Sequence, residues 1–169
     1  MSRFLIVAAW VMVVICPVFA QQPTFNDQLL NHLVGRWVLH GTIAGKETTH
    51  DVIAEWVLNH QYLRIHETSR EKNGKGQAAY EANVFIGWNQ QSSEYNCVWL
   101  DTYGSVTKES LATAKRSGDE IPFLFNYKDG STFHTTFAYN QKVNEWEWRM
   151  DAEQNSVTKP FARVKLTKK

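Results

Sequence analysis

From about residue 36 to the C-terminus, hydrophobic and polar residues alternate with a period of two, and groups of turn-forming residues interrupt the pattern. Such alternation predicts half-buried β-strands. The connectors carry turn chemistry, as in Lys72-Asn73-Gly74. We predict ten strands, at residues 36–43, 48–58, 61–70, 79–88, 94–102, 106–115, 121–127, 131–139, 145–153 and 159–167.

A short helix is predicted ahead of the strands. Apolar residues recur there at helical spacing over about residues 25–34. These residues are Phe25, Leu29, Leu30, Leu33 and Val34. Thr24 and Asp27 have the spacing of a capping box at the helix start. Gly35 follows, and it suits the position after a helix end because a positive φ costs glycine little.

The strand order predicts the fold class. Consecutive strands without helical connections form an antiparallel meander. A single sheet of ten strands curls, and its closure removes the exposed edges. We therefore predict an all-β fold, an up-and-down antiparallel β-barrel of about ten strands with a short N-terminal helix and an interior with room for one small ligand. A two-sheet sandwich of Greek-key type is the alternative.

Residues 1–20 have the layout of a secretory signal peptide. Arg3 supplies a positive charge, residues 4–15 are apolar, and Ala20 ends the segment. The apolar stretch is shorter than a membrane-spanning helix requires, which disfavours an uncleaved anchor. We expect cleavage near Ala20 and a secreted or periplasmic product, residues 21–169, that forms one β-barrel domain.

Charge and cysteine content narrow the function further. Cleavage leaves 17 basic and 17 acidic side chains, a balance that gives no footprint for nucleic acid. No later apolar run approaches membrane length, so we expect no membrane contact after cleavage. Cys16 would be removed with the signal peptide. The alternative is a lipoprotein in which Cys16 is acylated. Cys97 is then the single thiol, and its apolar neighbours predict a buried, unreactive side chain without a disulfide.

Two motifs near the chain ends resemble a known superfamily. Gly35-x-Trp37 opens the first predicted strand, and Arg163 lies in the last. This arrangement resembles the calycin superfamily, which includes the lipocalins. The resemblance implies that Trp37 contacts Arg163, with the cation over the indole face, as a structural latch worth about 1 kcal/mol.

A stretch in the middle of the chain resembles a bacterial lipocalin-like domain family of unknown function, whose pattern is "GYD … Y … W-x-D". The matching residues are Phe85-Ile86-Gly87-Trp88-Asn89, Tyr95 and Trp99-x-Asp101. Trp88 and Asn89 depart from the Tyr and Asp of that family. With the opening Gly-x-Trp, the resemblance covers about residues 30–167, and it implies the fold without a settled activity.

The third predicted strand carries a ladder of polar side chains. Tyr62, Arg64 and His66 share one face of it. Leu63 and Ile65 share the other. If the polar face points inward, Arg64 and Tyr62 can orient a ligand by hydrogen bonds. If the apolar face points inward, as is usual, the ladder is solvated.

Two adjacent strands predict an aromatic wall. Phe133 and Phe137 share one face of the eighth predicted strand, and Trp146 and Trp148 share a face of the ninth. Such a wall serves either as barrel core or as the lining of a pocket for an apolar ligand.

The leading functional hypothesis is an exported, non-catalytic protein that binds a small apolar or aromatic molecule. The candidate ligand contacts are Tyr62, Arg64, His66, Trp88, Trp99, Asp101, Phe133, Phe137, Trp146 and Trp148. An isomerase or hydratase with Asp101 or His66 as base is the alternative. A haem-binding barrel is the second alternative. Catalytic motifs and chelating histidine pairs are absent from the sequence, so we expect neither metal nor cofactor.

Overall fold

The computed structural model describes residues 24–104 and 106–169, and the expected signal peptide with its cleavage near Ala20 lies outside these residues. The described residues form one α-helix, α1, and ten strands, connected by turns and by two longer loops at residues 70–80 and 102–110. Their bounds are α1 Gln28–Leu33, β1 Gly35–Ile43, β2 Lys46–Val57, β3 Tyr62–Ser69, β4 Glu81–Asn89, β5 Glu94–Asp101, β6 Leu111–Ala114, β7 Glu120–Asn126, β8 Thr132–Asn140, β9 Glu145–Gln154 and β10 Val157–Lys168.

The strands form one closed antiparallel sheet. Each strand pairs with its neighbours in sequence, and β1 also pairs with β10, so that Trp37 lies opposite Lys168 and Ile43 opposite Ala162. The up-and-down barrel of ten strands is therefore confirmed, and the Greek-key sandwich is wrong. Within the described residues, none of the helices has the length and apolar character to cross a membrane.

Nine predicted strands match the observed ones within two residues at each end. The sixth is much shorter than predicted, because a 3-10 turn occupies Lys108–Ser110 ahead of β6. Thr107 holds this turn: its hydroxyl accepts the N–H of Glu109 at 3.1 Å, and its own N–H donates to the Ser110 hydroxyl at 3.3 Å.

Helix α1 covers one end of the barrel. Its Asn31 accepts the Trp56 indole N–H at 2.8 Å, and its His32 ring stacks on Tyr139 at 4.6 Å, nearly across the barrel from Trp56. The N-cap is Asp27, whose carboxylate accepts the Leu30 N–H at 2.8 Å. The predicted capping box from Thr24 is wrong, because the helix begins four residues later, at Gln28.

Two glycines allow the first strand to form and to close the sheet. Gly35 has a φ of +133° directly after the helix, so it ends α1 and opens β1. Gly41 has a φ of +147°, and a Cβ there would lie 2.3 Å from the Arg163 carbonyl oxygen on β10. The seam between β1 and β10 therefore requires glycine at this position.

The middle of the barrel is filled with side chains. Leu39, Ile65, Phe137 and Trp148 come from four different strands, all point inward, and are 0% exposed. If a cavity large enough for water adjoined one of these side chains, part of that side chain would be accessible. The expected space for a ligand is therefore not found in this layer of the interior.

Candidate functional site

The polar ladder of β3 lies on the outside of the barrel. Leu63 and Ile65 are 0% exposed and point inward, which places the alternating residues outward. Arg64 forms an ion pair with Glu55, and Tyr62 and His66 share its outer face. The alternative in which this polar face points into the barrel is therefore wrong, because the apolar residues of the strand occupy the interior.

Tyr62 and His66 have local partners instead. The Tyr62 ring covers Gly87 of β4, and a Cβ on that glycine would lie 2.6 Å from the ring. The His66 Nε2 lies 2.7 Å from a Glu81 carboxylate oxygen on the outer surface. Both contacts join β3 to β4 and stabilise the sheet rather than a ligand.

The aromatic wall exists, and most of it is core. Phe137 and Trp148 pack edge to face with ring centroids 4.8 Å apart, and Trp146 is also 0% exposed. Phe133 is only partly buried, and its ring packs on Phe161 at 5.3 Å. Of the four predicted wall residues, only Phe133 is partly exposed to solvent, and the other three are fully buried.

The cation over Trp37 is not the expected one. The Lys168 Nζ lies 5.2 Å from the Trp37 ring centroid. Arg163 lies on the outer face of β10, opposite Thr42, and donates to the Asp151 carboxylate at 2.5 Å. The expected contact between Trp37 and Arg163 is wrong. In the register of β1 and β10, Trp37 lies opposite Lys168, five residues further along β10 than Arg163. The Trp37 N–H donates instead to a backbone carbonyl of α1.

Trp88 lies at the helix end, in a surface groove of about 670 Å³. Its ring is 41% exposed, stacks on Phe25 at 6.2 Å and meets the edge of Tyr95 at 5.1 Å. The Tyr95 hydroxyl donates to the Asp27 N-cap at 2.5 Å. Trp88 is therefore separated from Trp99, Asp101 and Phe133 by the filled middle of the barrel.

Trp99, Asp101 and Phe133 lie at the opposite end, which we call the mouth. The mouth is the inner rim formed by Thr48, Tyr80, Trp99 and Phe133. The Trp99 N–H donates to the Tyr80 hydroxyl at 3.1 Å. Asp101 accepts the Tyr103 N–H at 2.9 Å within a turn, so its carboxylate has a structural partner.

Sequence reasoning missed the polar residues nearest to the mouth. His50 on β2 and Glu67 on β3 point inward and are 4% and 2% exposed. They belong to neighbouring strands, with His50 opposite Ser69 and Val52 opposite Glu67. The signal was present in the alternation: Glu67 shares the inward parity of Leu63 and Ile65 and interrupts an otherwise apolar face.

Thr48, His50 and Glu67 form a line of hydrogen bonds. Glu67 Oε1 contacts His50 Nδ1, and Thr48 Oγ1 lies 2.8 Å from His50 Nε2. In the neutral His50 tautomer that donates Nδ1–H to the Glu67 carboxylate, Nε2 is the acceptor for the Thr48 hydroxyl. Thr48 is partly exposed, so the line runs from the buried carboxylate to an accessible hydroxyl.

Tyr80 lies beside this line. Its ring centroid is 5.9 Å from that of His50. Burial, and then the nearby Glu67 carboxylate, raise the pKa of Tyr80 well above its usual value. The phenol therefore keeps its proton. Because its oxygen already accepts the Trp99 N–H, the remaining O–H is a neutral donor at the mouth.

Polar atoms deeper in the barrel lack hydrogen bonds within the described residues. These atoms are the Thr135 hydroxyl and the indole nitrogens of Trp146 and Trp148. Their residues are at most 1% exposed, so no water-sized space adjoins these atoms, and they remain unpaired in the packed interior.

The described residues contain no group of three or more His, Cys, Asp or Glu side chains arranged to hold a metal ion. His134, the last histidine in the chain, lies on the outer face of β8 with its Nε2 3.2 Å from Glu153. Its position gives the haem alternative no support. Comparison with protein-family models and with curated proteins finds no match for this chain.

Proposed function

We propose that this protein is an exported, calycin-like barrel that binds a small, uncharged, largely apolar molecule at the mouth. The observation that carries the proposal is the buried line from Glu67 through His50 to Thr48. It lies at the mouth, where the Tyr80 ring is 5.9 Å from that of His50 and the Tyr80 hydroxyl accepts the Trp99 N–H. A ligand would place its apolar part on the rings of the mouth and its polar group on the hydroxyls of Thr48 and Tyr80.

The charges at the mouth favour an uncharged ligand over an anion. Asp101, Glu109 and Asp129 all raise the pKa of Tyr127 there, after burial as the largest cause. The Glu67 carboxylate already has His50 as its partner. The groups left for a ligand are therefore neutral hydroxyls, and an anion would meet like charge.

The available binding energy is modest. Burial of about 150 Å² of apolar surface contributes roughly 4 kcal/mol before the entropic costs of association. A hydrogen bond to a neutral hydroxyl adds about 1 kcal/mol. We therefore expect micromolar or weaker binding for a probe that fits the rings without matching every polar group.

N-phenyl-1-naphthylamine, a neutral aromatic dye that fluoresces in apolar sites, tests the binding site. We expect a saturable rise in fluorescence, about tenfold weaker binding for Trp99→Ala because it removes a stacking ring, and unchanged binding for the control Trp88→Ala at the helix end. Absence of saturable binding, or weakening by Trp88→Ala alone, would overturn the proposal.

Export is tested on the secreted protein itself. The layout of residues 1–20 supports it. We expect the extracellular or periplasmic product to begin at Gln21, as read by N-terminal sequencing. A product retained in the cytoplasm with Met1 intact would contradict this part of the proposal.

A further inference from the structure

Among the described residues, three strands have a threonine hydroxyl within hydrogen-bond distance of a histidine two residues away, with a glutamate contacting the same imidazole. The sets are Thr48, His50 and Glu67 in the interior, and His66, Thr68 and Glu81, and Thr132, His134 and Glu153, on the outer surface. In both outer sets the hydroxyl and the carboxylate approach the same nitrogen, Nε2. In the interior set they bind opposite nitrogens, so the imidazole connects them.

A further histidine, His40, also has different partners on its two nitrogens. Its Nδ1 lies 3.1 Å from the Thr49 hydroxyl, and its Nε2 lies 3.8 Å from Glu47, beyond hydrogen-bond distance. The side chains of His40 and Glu47 are both 68% exposed. Water competes for each of these groups, so this set lacks the fixed geometry of the interior line.

We infer that Thr48, His50 and Glu67 form a proton relay that makes the Thr48 hydroxyl a nucleophile toward uncharged carboxylic esters. A hydroxyl within reach of an imidazole, itself oriented by a carboxylate, is the general arrangement of an activated nucleophile. This activity goes beyond ligand binding. It rests on the proposed function in one respect, because the ester would bind at the same mouth as the ligand.

The reaction requires water as its only co-reactant. The Thr48 oxygen bonds to the ester carbonyl carbon while its proton passes to His50 Nε2. The bond to the leaving alcohol breaks, and the alcohol oxygen takes that proton. Water then attacks the Thr48 ester by the same route, which releases the carboxylic acid and restores the hydroxyl. Glu67 stays ionised throughout and stabilises the protonated imidazole.

The surroundings of the line fit this chemistry. Burial of His50 and Glu67 excludes the water that would compete for their hydrogen bonds, while Thr48 remains partly exposed. Tyr80 supplies a protonated phenol 5.9 Å from the His50 ring, centroid to centroid, as a donor for the carbonyl oxygen of the substrate. The acidic groups of the mouth favour an uncharged ester over a charged one.

p-Nitrophenyl acetate, a neutral activated ester, tests the inference. We expect a burst of p-nitrophenolate equal to the amount of protein, and one acetyl group on the peptide that contains Thr48. Thr48→Val should reduce the burst rate about 100-fold or more, and Thr48→Ser should restore much of it. The matched control, Thr132→Val in an outer set, should react as the unaltered protein does.

Glu67 acts here as a positioning residue, so its test needs a readout other than loss of activity. Glu67→Gln keeps an acceptor for Nδ1 but removes the charge that stabilises the imidazolium. We expect a lower kcat at unchanged KM, in a variant that circular dichroism shows to be folded. If the outer-set variant Glu153→Gln lost as much kcat and Thr48 acetylation as Glu67→Gln does, the positioning role of Glu67 would be contradicted.

The dye separates this inference from the binding proposal. Saturable dye binding without an ester burst would overturn the relay and leave the binding site standing. Acetylation of a residue other than Thr48, or an unchanged burst in Thr48→Val, would overturn it as well. Loss of both dye binding and the burst in the unaltered protein would overturn both proposals.

Discussion

Removal of His50 alone should destabilise this barrel more than loss of a comparable surface histidine. The side chains of His50 and Glu67 are 5% and 3% exposed. His50→Leu leaves the Glu67 carboxylate buried without its Nδ1 partner. Removal of one member of a buried pair costs about 3–5 kcal/mol, because the remaining group keeps its desolvation penalty.

The double variant separates this penalty from lost packing. His50→Leu/Glu67→Leu removes both polar groups, and replacement of a whole buried pair by apolar residues is often neutral or stabilising. We therefore expect the second substitution to restore most of the 3–5 kcal/mol, roughly, that the first removes. In a domain of this size, 1 kcal/mol changes Tm by about 2–4 °C, so His50→Leu should lower it by roughly 6–20 °C.

Urea unfolding followed by tryptophan fluorescence and circular dichroism measures these differences. The control is His134→Leu, whose partner Glu153 lies at 3.2 Å on the outer face with both side chains partly exposed. We expect the control to change the free energy of unfolding by less than about 1 kcal/mol. The reasoning would be refuted if His50→Leu changed the free energy of unfolding by a similarly small amount. It would also be refuted if the double variant were no more stable than His50→Leu.

Three further predictions concern the sheet and the core. Arg70 holds the pKa of Asp51 at about 2 rather than 3.8, so its stabilisation is present above pH 3.8 and lost as the pH falls through about 2; Asp51→Asn should flatten the stability curve measured by urea unfolding in that window. Burial raises the pKa of Cys97, so a thiol reagent should modify it only after unfolding. Gly41→Ala places a Cβ 2.3 Å from the Arg163 carbonyl and should cost about 2 kcal/mol or more in thermal or urea unfolding.

Alternation along the chain predicts most of this fold because it reports directly on burial. The inward residues of a strand recur every second position, so ten alternating segments give ten strands and their faces. The same rule identifies the error at Arg163. Ala162, Val164 and Leu166 point inward, which puts Arg163 outside and Lys168 inside, over the Trp37 ring.

The candidate site was harder to predict, since it depends on which residues face each other across strands. Alternation places His50 with Val52 on the inner face of β2, and Glu67 with Ile65 on that of β3. The contact between His50 and Glu67 also requires the register of the two strands, which a single sequence does not specify. A polar residue that interrupts an inward apolar face is the signal to search for.

The position of the polar line explains why a costly pair persists in the interior. Along β2, exposure is 1% at Val52 and 4% at His50, and Thr48 is partly exposed, so the line crosses from the filled core to the mouth. Deeper in the barrel the pair would meet no ligand, and further out water would screen it. If the double leucine variant proves as stable as the unaltered protein but loses dye binding and the ester burst, then the pair serves the mouth rather than the fold.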